Sequence, residues 1–264
     1  MKHGVIILTS GLTGSSVLTG LIARANYWTG LATHDKVGEY STYENTRLIE
    51  LNSSLFTAAG YTGNYRTEFC PDLLRQMDHL AGSIDVTPYR EFLIQCDRHS
   101  PWIWKDPRLW STIRFWSRLL NLRQCRFILL TRSLFYSWVS VLQRGQIRGY
   151  RNLRSYETAI VRANREFVAT AGAPAIEMCY EDLILDPAES IGRLNRFLGA
   201  ALSVADLESV YHKPLYRSPN ASAWDVARAV LTYAANYPRR VERKFRGGAV
   251  TLRSTGTRSA GPLV

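Results

Sequence analysis

Small and hydroxylated residues separate two apolar runs near the beginning of this 264-residue sequence. The run Val5 to Leu8 is apolar and mostly β-branched, residues 9–16 are nearly all small or hydroxylated, and an apolar pattern resumes at Val17. This order predicts a buried strand, a tight loop and a helix. The unpaired N–H groups at such a helix start bind anions, so the stretch predicts a phosphate or sulfate site. Any strand-to-helix turn also favours Gly and Ser, which is the alternative explanation.

The loop differs from the Walker A motif of ATP-binding proteins. That motif ends in Gly-Lys-Ser/Thr, whereas residues 14–16 are Gly-Ser-Ser. Further along, the apolar run 126–130 is followed by Thr131 and Arg132, where a nucleotide-hydrolysing P-loop protein usually has a magnesium-binding aspartate. An arginine binds anions without a metal. Phosphoryl transfer from ATP is therefore poorly supported.

A lysine follows the aromatic run Trp102 to Trp104, which predicts a short strand. Asp106 is suited to cap a helix and Pro107 to occupy its first position, so we expect a helix from 108 to 120. Lys105 is thereby predicted at the carboxyl end of the strand.

Three candidate proton acceptors lie in residues 26–44, which we expect to be irregular: His34, Glu39 and Glu44. A helical pattern begins at Asn45. Glu44 has an alternative role as an acid that stabilises the first turn of that helix. His34 has an alternative reading as an ordinary loop histidine.

Strands and helices are expected to alternate along the chain. Further helices are predicted at 71–80, 88–96, 133–143, 156–171, 187–198 and 223–237, and further strands at 126–130 and 175–179. The alternation predicts an α/β fold, with a doubly wound, mostly parallel sheet flanked by helices. Ligands in such folds bind beyond the carboxyl ends of the strands. Those ends carry the Gly/Ser loop, Lys105, Arg132 and Tyr180, which predicts an anionic nucleotide site.

Composition favours a globular protein with an anionic partner. The hydrophobic fraction is 46% and the formal net charge is +11, carried mostly by arginine. Arginine makes forked contacts with phosphate and sulfate, although basic residues also simply solvate a surface. We expect one domain over residues 1–246 and a flexible Gly/Ser/Thr/Arg-rich tail over 247–264.

The four cysteines are widely spaced, with no CxxC pair and no histidine at ligand spacing, so we expect no metal site. No apolar segment is long enough to span a membrane. These features predict a reduced, cytoplasmic protein.

Taken in order, these stretches resemble the sulfotransferases that use 3′-phosphoadenosine 5′-phosphosulfate (PAPS). Residues 12–18 are similar to the loop that grips the 5′-phosphosulfate in that family. Arg132 and Ser140 have the spacing of the pair that holds the 3′-phosphate. Residues 104–108, Trp-Lys-Asp-Pro-Arg, resemble the Lys-Asp-Pro-Arg segment of many bacterial members.

Two further segments extend the resemblance, which covers residues 4 to 199. Residues 180–183 resemble a Tyr-Glu-Asp-Leu segment whose tyrosine can touch adenine, and residues 43–45 with Leu51-Asn52 resemble a bacterial block whose glutamate is a candidate base. The resemblance implies a P-loop-NTPase-like sulfotransferase fold. The cofactor-binding residues that it implies are Gly11, Leu12, Thr13, Gly14, Ser15, Ser16, Arg132, Ser140 and Tyr180.

The implied reaction is transfer of a sulfuryl group from PAPS to a hydroxyl or amine of a small-molecule or glycan acceptor, with 3′-phosphoadenosine 5′-phosphate (PAP) as product. Leu12 stands where the family usually has a basic residue, and we hypothesise that Lys105 supplies the missing charge and stabilises the leaving oxygen. Glu44, or alternatively Glu39 or His34, would accept the proton from the nucleophile. No metal, nucleic acid or membrane partner is expected. The alternatives are a non-catalytic polyanion-binding protein and a P-loop kinase.

Overall fold

The structure is a computed structural model that describes residues 4–36, 40–143 and 149–211 and the isolated residues 224, 227, 230, 231, 234 and 235. Glu39, the tail from 247 and most of the predicted helix 223–237 lie outside the described residues. The main elements, in chain order, are β1 (Gly4–Leu8), α1 (Ser15–Ala23), β2 (Thr33–Lys36), β3 (Tyr40–Asn45), α2 (Thr46–Ala58), α3 (Pro71–Leu80), α4 (Thr87–Arg98), β4 (Ile103–Lys105), α5 (Leu109–Trp116), β5 (Cys125–Thr131), α6 (Leu134–Gln143), α7 (Tyr150–Ala171), β6 (Ala175–Cys179), α8 (Tyr180–Leu185), α9 (Pro187–Leu198) and α10 (Val204–Val210).

Within the described residues, the main sheet has four strands in the order β4-β1-β5-β6. β1 pairs with β4 on one side, where Ile7 lies opposite Lys105, and with β5 on the other, where Leu8 lies opposite Leu129. The three pairings are all parallel, so the four carboxyl ends lie at one edge. The α/β fold with a mostly parallel sheet is therefore confirmed.

Alternate residues of β1 pack into different halves of the core. Ile6 and Leu8 join a cluster with residues of α2, α3, α4, α5 and α7. Val5 and Ile7 join a second cluster with residues of α1, α8, α9 and α10. Since both faces are covered, the strand is apolar throughout rather than alternating with polar residues. Helices on both faces are what a doubly wound sheet requires.

Local signals predicted several helix limits correctly. Asn45 caps α2, because its side chain accepts hydrogen bonds from the backbone N–H groups of Arg47 and Leu48. Pro187 occupies the start of α9, and Gly199 ends that helix in the left-handed conformation. Among the described residues, no helix combines the length and the apolar character needed to cross a bilayer.

Other limits differ from the prediction. The helix after Asp106 spans Leu109–Trp116 rather than 108–120, and α7 begins at Tyr150 rather than at 156. Residues 150–155 include Arg151 and Arg154, which are exposed. Charged residues on the solvent side of a helix weaken the apolar period near its end, which explains the late predicted start.

Residues 26–44 are not irregular throughout, so that expectation was wrong. β2 and β3 form an antiparallel hairpin in which His34 lies opposite Glu44, with a register shift after His34. The two strands are polar and lack the alternation that marks a half-buried strand. β3 packs against α1 and β4, so tertiary contacts rather than local pattern support the hairpin.

Candidate active site

The loop from β1 to α1 turns through three residues in the left-handed region: Gly11 at φ 84°, Leu12 at φ 57° and Gly14 at φ 75°. The hydroxyls of Thr9 and Thr13 form a short hydrogen bond across the loop. Gly14 is the N-cap of α1 and has no side chain to cap the helix. The first N–H groups of α1 are therefore available to an anion at the carboxyl edge of the sheet.

The Tyr180 side chain packs directly against this loop. Tyr180 is the first residue of α8 and is 5% exposed. A Cβ atom added to Gly14 would lie 2.2 Å from the Tyr180 ring. The close approach of ring and backbone, together with the positive φ, leaves room only for glycine at position 14.

Replacing Gly14 with alanine is expected to lower the free energy of unfolding by about 2–4 kcal/mol, because left-handed strain and overpacking add. Gly60 is the matched control: its φ is 63°, yet a Cβ there would meet no atom within 4 Å. Gly60→Ala should therefore cost only the strain. Denaturant unfolding measures both; equal losses would contradict the packing of Tyr180 against Gly14.

Leu12 has two contacts that explain an apolar residue at this position. Its side chain packs against the core cluster that contains Ile6 and Leu8. Its carbonyl oxygen accepts a hydrogen bond from Arg132 Nη1 at 2.9 Å. The side chain of residue 12 therefore packs against the core.

A buried cation, Lys105, lies at the end of β4, and its side chain is 4% exposed. Its Nζ atom donates to Ser16 Oγ at 3.2 Å, to the Thr42 carbonyl at 3.2 Å and to Glu44 Oε1 at 2.5 Å. The Glu44 side chain is 13% exposed. The ammonium group therefore joins the start of α1 to a carboxylate on β3.

The three predicted proton acceptors have different positions. Glu44 lies in β3, before the cap Asn45, so its alternative role in the first turn of α2 was wrong. His34 is exposed on β2 opposite Glu44, and its carbonyl accepts a hydrogen bond from the Thr42 hydroxyl. Glu39 lies outside the described residues. Of the two described acceptors, the partly buried Glu44 is the one that contacts Lys105.

Arg132 follows β5 and connects three parts of the site. Its Nη1 atom donates to Ser140 Oγ on α6 at 3.1 Å as well as to the Leu12 carbonyl. The guanidinium carbon lies 5.2 Å from the centre of the Tyr180 ring. This cation–π contact and the two hydrogen bonds hold the Arg132 guanidinium group at the carboxyl edge of the sheet.

Glu181 lies beside Arg132 and was not among the predicted site residues. Its Oε1 lies 3.6 Å from Arg132 Nε, and its Oε2 accepts hydrogen bonds from the Ser133 N–H at 2.9 Å and the Cys179 thiol at 3.1 Å. Burial first, and then the hydrogen bond to Glu181, raise the pKa of Cys179 to about 11, so the thiol stays protonated. The only signal for Glu181 in the sequence was its place directly after Tyr180.

Within the described ranges, no group of three or more His, Cys, Asp or Glu side chains could hold a metal ion. The predicted site residues that lie together are the loop 11–16, Lys105, Glu44, Arg132, Ser140 and Tyr180. Their chemical roles stay predictions.

Comparison with known proteins is informative at the level of the fold. No protein-family profile and no curated protein matches the chain. A sulfotransferase domain from the curacin biosynthetic pathway superimposes with a TM-score of 0.50 at 15% identity, over 80% of this chain and 78% of that one. The chain therefore has a sulfotransferase-like fold.

Two other solved structures also match. The sulfotransferase domain of the Synechococcus PCC 7002 olefin synthase has a TM-score of 0.49 at 17% identity, over 88% of this chain and 94% of that one. Sulfotransferase STF9 from Mycobacterium avium has a TM-score of 0.44 at 15% identity, over 89% of this chain and 76% of that one.

Proposed function

We propose that this protein transfers a sulfuryl group from PAPS to a hydroxyl or amine of a small-molecule or glycan acceptor and releases PAP. The observation that carries the proposal is the contact of Lys105 with both Ser16 and Glu44. It unites a cation, a helix N-terminus and a candidate base at one point. The fold supports the proposal, because the curacin-pathway domain that shares it is a sulfotransferase.

The donor fits two groups at the edge of the sheet. The uncapped N-terminus of α1, with Ser15 and Ser16, is suited to the 5′-phosphosulfate. Arg132 and Ser140, already in contact at 3.1 Å, are suited to the 3′-phosphate. Tyr180 supports both groups, since its ring packs on Gly14 and on Arg132. Its contact with adenine stays a prediction.

The chemistry follows from the positions of these side chains. PAPS supplies a sulfur whose bond to a phosphate oxygen is replaced by a bond to the nucleophile. Glu44 accepts the proton of the nucleophile, which contributes about 100- to 10,000-fold to the rate. Lys105 neutralises negative charge on the leaving oxygen, and Ser16 orients the ammonium group. The loop amides hold the donor in line with the acceptor.

Calorimetric titration with PAP, ATP and ADP tests the proposed donor. We expect PAP to bind more tightly than ATP and ADP, because Arg132 and Ser140 recognise a 3′-phosphate that the other two lack. Equal binding of all three, with steep salt dependence, would indicate the polyanion-binding alternative. Magnesium-dependent ATP turnover would indicate a kinase.

Replacing Glu44 with glutamine is expected to lower turnover by about 100-fold or more while the Kd for PAP stays nearly unchanged. Glutamine keeps a hydrogen-bond acceptor for Lys105 but loses the basic oxygen. Glu50→Gln is the matched control, because Glu50 lies on α2 in an exposed pair with Arg47. Initial rates with labelled PAPS measure the effect; an active Glu44→Gln variant would shift the role of base to Glu39 or His34.

A further inference from the structure

A fully buried carboxylate lies directly after Lys105. The side chain of Asp106 is 0% exposed, and it accepts hydrogen bonds from the Arg108 N–H at 2.9 Å, from Arg108 Nη1 at 3.0 Å and from Asn52 Nδ2 at 2.9 Å. Arg108 is a near neighbour in sequence, so its two bonds to Asp106 belong to a local turn. The N-cap of α5 is Arg108 rather than Asp106, so the predicted capping role of Asp106 was wrong. Asn52 lies on another helix, so the third bond needs a separate explanation.

Asn52 is held in one orientation within the core. It is 0% exposed on α2, and its Oδ1 accepts a hydrogen bond from Trp116 Nε1 at 2.8 Å. The indole N–H is only a donor, so Oδ1 must face Trp116 and Nδ2 must face Asp106. A buried amide with both ends matched is costly to disturb, because flipping it would place two donors together at Trp116 and two acceptors together at Asp106.

We propose that the Asn52–Asp106 pair is a positioning clamp that sets the distance between Lys105 and Glu44. Asp106 is the residue after Lys105, and α2, which carries Asn52, begins at the cap that follows Glu44. The hydrogen bond therefore joins the two chain segments that deliver the cation and the carboxylate. As far as catalysis is concerned, this inference rests on the proposed function.

The two single substitutions disrupt the hydrogen bond between residues 52 and 106 in opposite ways. Asn52→Asp places two carboxylates against each other in a buried site. Asp106→Asn places an amide N–H₂ against Asn52 Nδ2, or leaves Arg108 without its acceptor. The exchange Asn52→Asp with Asp106→Asn restores every donor–acceptor pair, while the negative charge moves from position 106 to position 52. Residue 106 then donates to residue 52, which still accepts from Trp116, and its amide oxygen still accepts from Arg108.

The test compares the two single variants, the exchange and Asn195→Asp. Asn195 is the matched control, because its amide bridges to both backbone groups of Leu202, away from Lys105. The chain has five lysines, so ¹³Cε-lysine labelling gives a simple NMR spectrum, in which Lys105→Met identifies the Lys105 signal. PAP formation from PAPS in water, without an added acceptor, gives the rate, and thermal unfolding gives the stability.

We expect each single variant to shift the Lys105 signal and to lower the rate by about 10- to 100-fold, since small misplacements of reacting groups have effects of this size. The exchange should restore both the Lys105 signal and the rate, and Asn195→Asp should change stability alone.

A purely structural pair would lower the melting temperature without moving the Lys105 signal, and that result overturns the proposal. An exchange that restores neither the signal nor the rate also overturns it. If the two single variants do not fold, the Lys105 signal and the rate of the exchange variant alone test the proposal. If the exchange restores the Lys105 signal but the protein binds no PAP, the clamp is supported. The proposed function is then contradicted.

Discussion

Replacing Lys105 with methionine is expected to lower the rate of sulfuryl transfer by about 100- to 1,000-fold, while the Kd for PAP changes little. Methionine fills similar volume at a position that is 4% exposed, so packing is largely kept. The lost group is the ammonium that contacts Ser16 and Glu44. Its charge acts on the leaving oxygen, so its removal should affect the transition state more than binding. Single-turnover kinetics with labelled PAPS measure the rate.

Loss of an ion pair can also lower stability, and a second variant separates the two effects. Arg114→Met removes a cation from the partly buried pair with Asp78, which joins α5 to α3. It should lower stability and leave the rate unchanged. Unaltered turnover in Lys105→Met would remove Lys105 from the mechanism and leave the leucine at position 12 without a replacement charge.

Replacing Arg132 with alanine is expected to weaken PAP binding by about 100-fold, because each charge-assisted hydrogen bond contributes ~1.5–3 kcal/mol and 1.4 kcal/mol corresponds to tenfold. The substitution removes the guanidinium that joins the Leu12 carbonyl to Ser140. Since ATP and ADP have no 3′-phosphate, their weaker binding should change less. Calorimetric titration of all three nucleotides measures the difference.

Arg162→Ala is the control for this charge change. Arg162 is exposed and its ion pair is with Glu166 on the same helix, so its removal lowers the net charge by the same amount without changing the site. Equal weakening of PAP binding by both substitutions would mean that a general positive field, rather than a built phosphate site, holds the nucleotide. Arg132→Lys extends the comparison, because it keeps the charge and loses the forked geometry.

Local patterns in the sequence were sufficient for the four strands of the main sheet and for the edge that carries the site. Val5 to Leu8 is apolar because β1 is buried on both faces. The contact of Arg132 with Ser140 is the pairing that the family resemblance implied, and the long Arg132 side chain makes it by extending from the end of β5 to α6. Parallel strand pairing then brings Lys105 and Tyr180 to the same edge as the loop. The strands and the shared edge need only periodicity and the known geometry of parallel sheets.

Only the tertiary structure showed which distant side chains touch. The contacts of Lys105 with Glu44, of Asn52 with Asp106 and of Ser133 with Glu181 join residues that are 61, 54 and 48 positions apart. The polar hairpin that presents Glu44 has no strand pattern of its own and depends on packing against α1 and β4. Leu12, where the family resemblance implied a basic residue, packs against the core cluster instead. Such pairings follow from strand order and helix packing, which depend on the whole chain at once, and so a local sequence pattern contains no record of them.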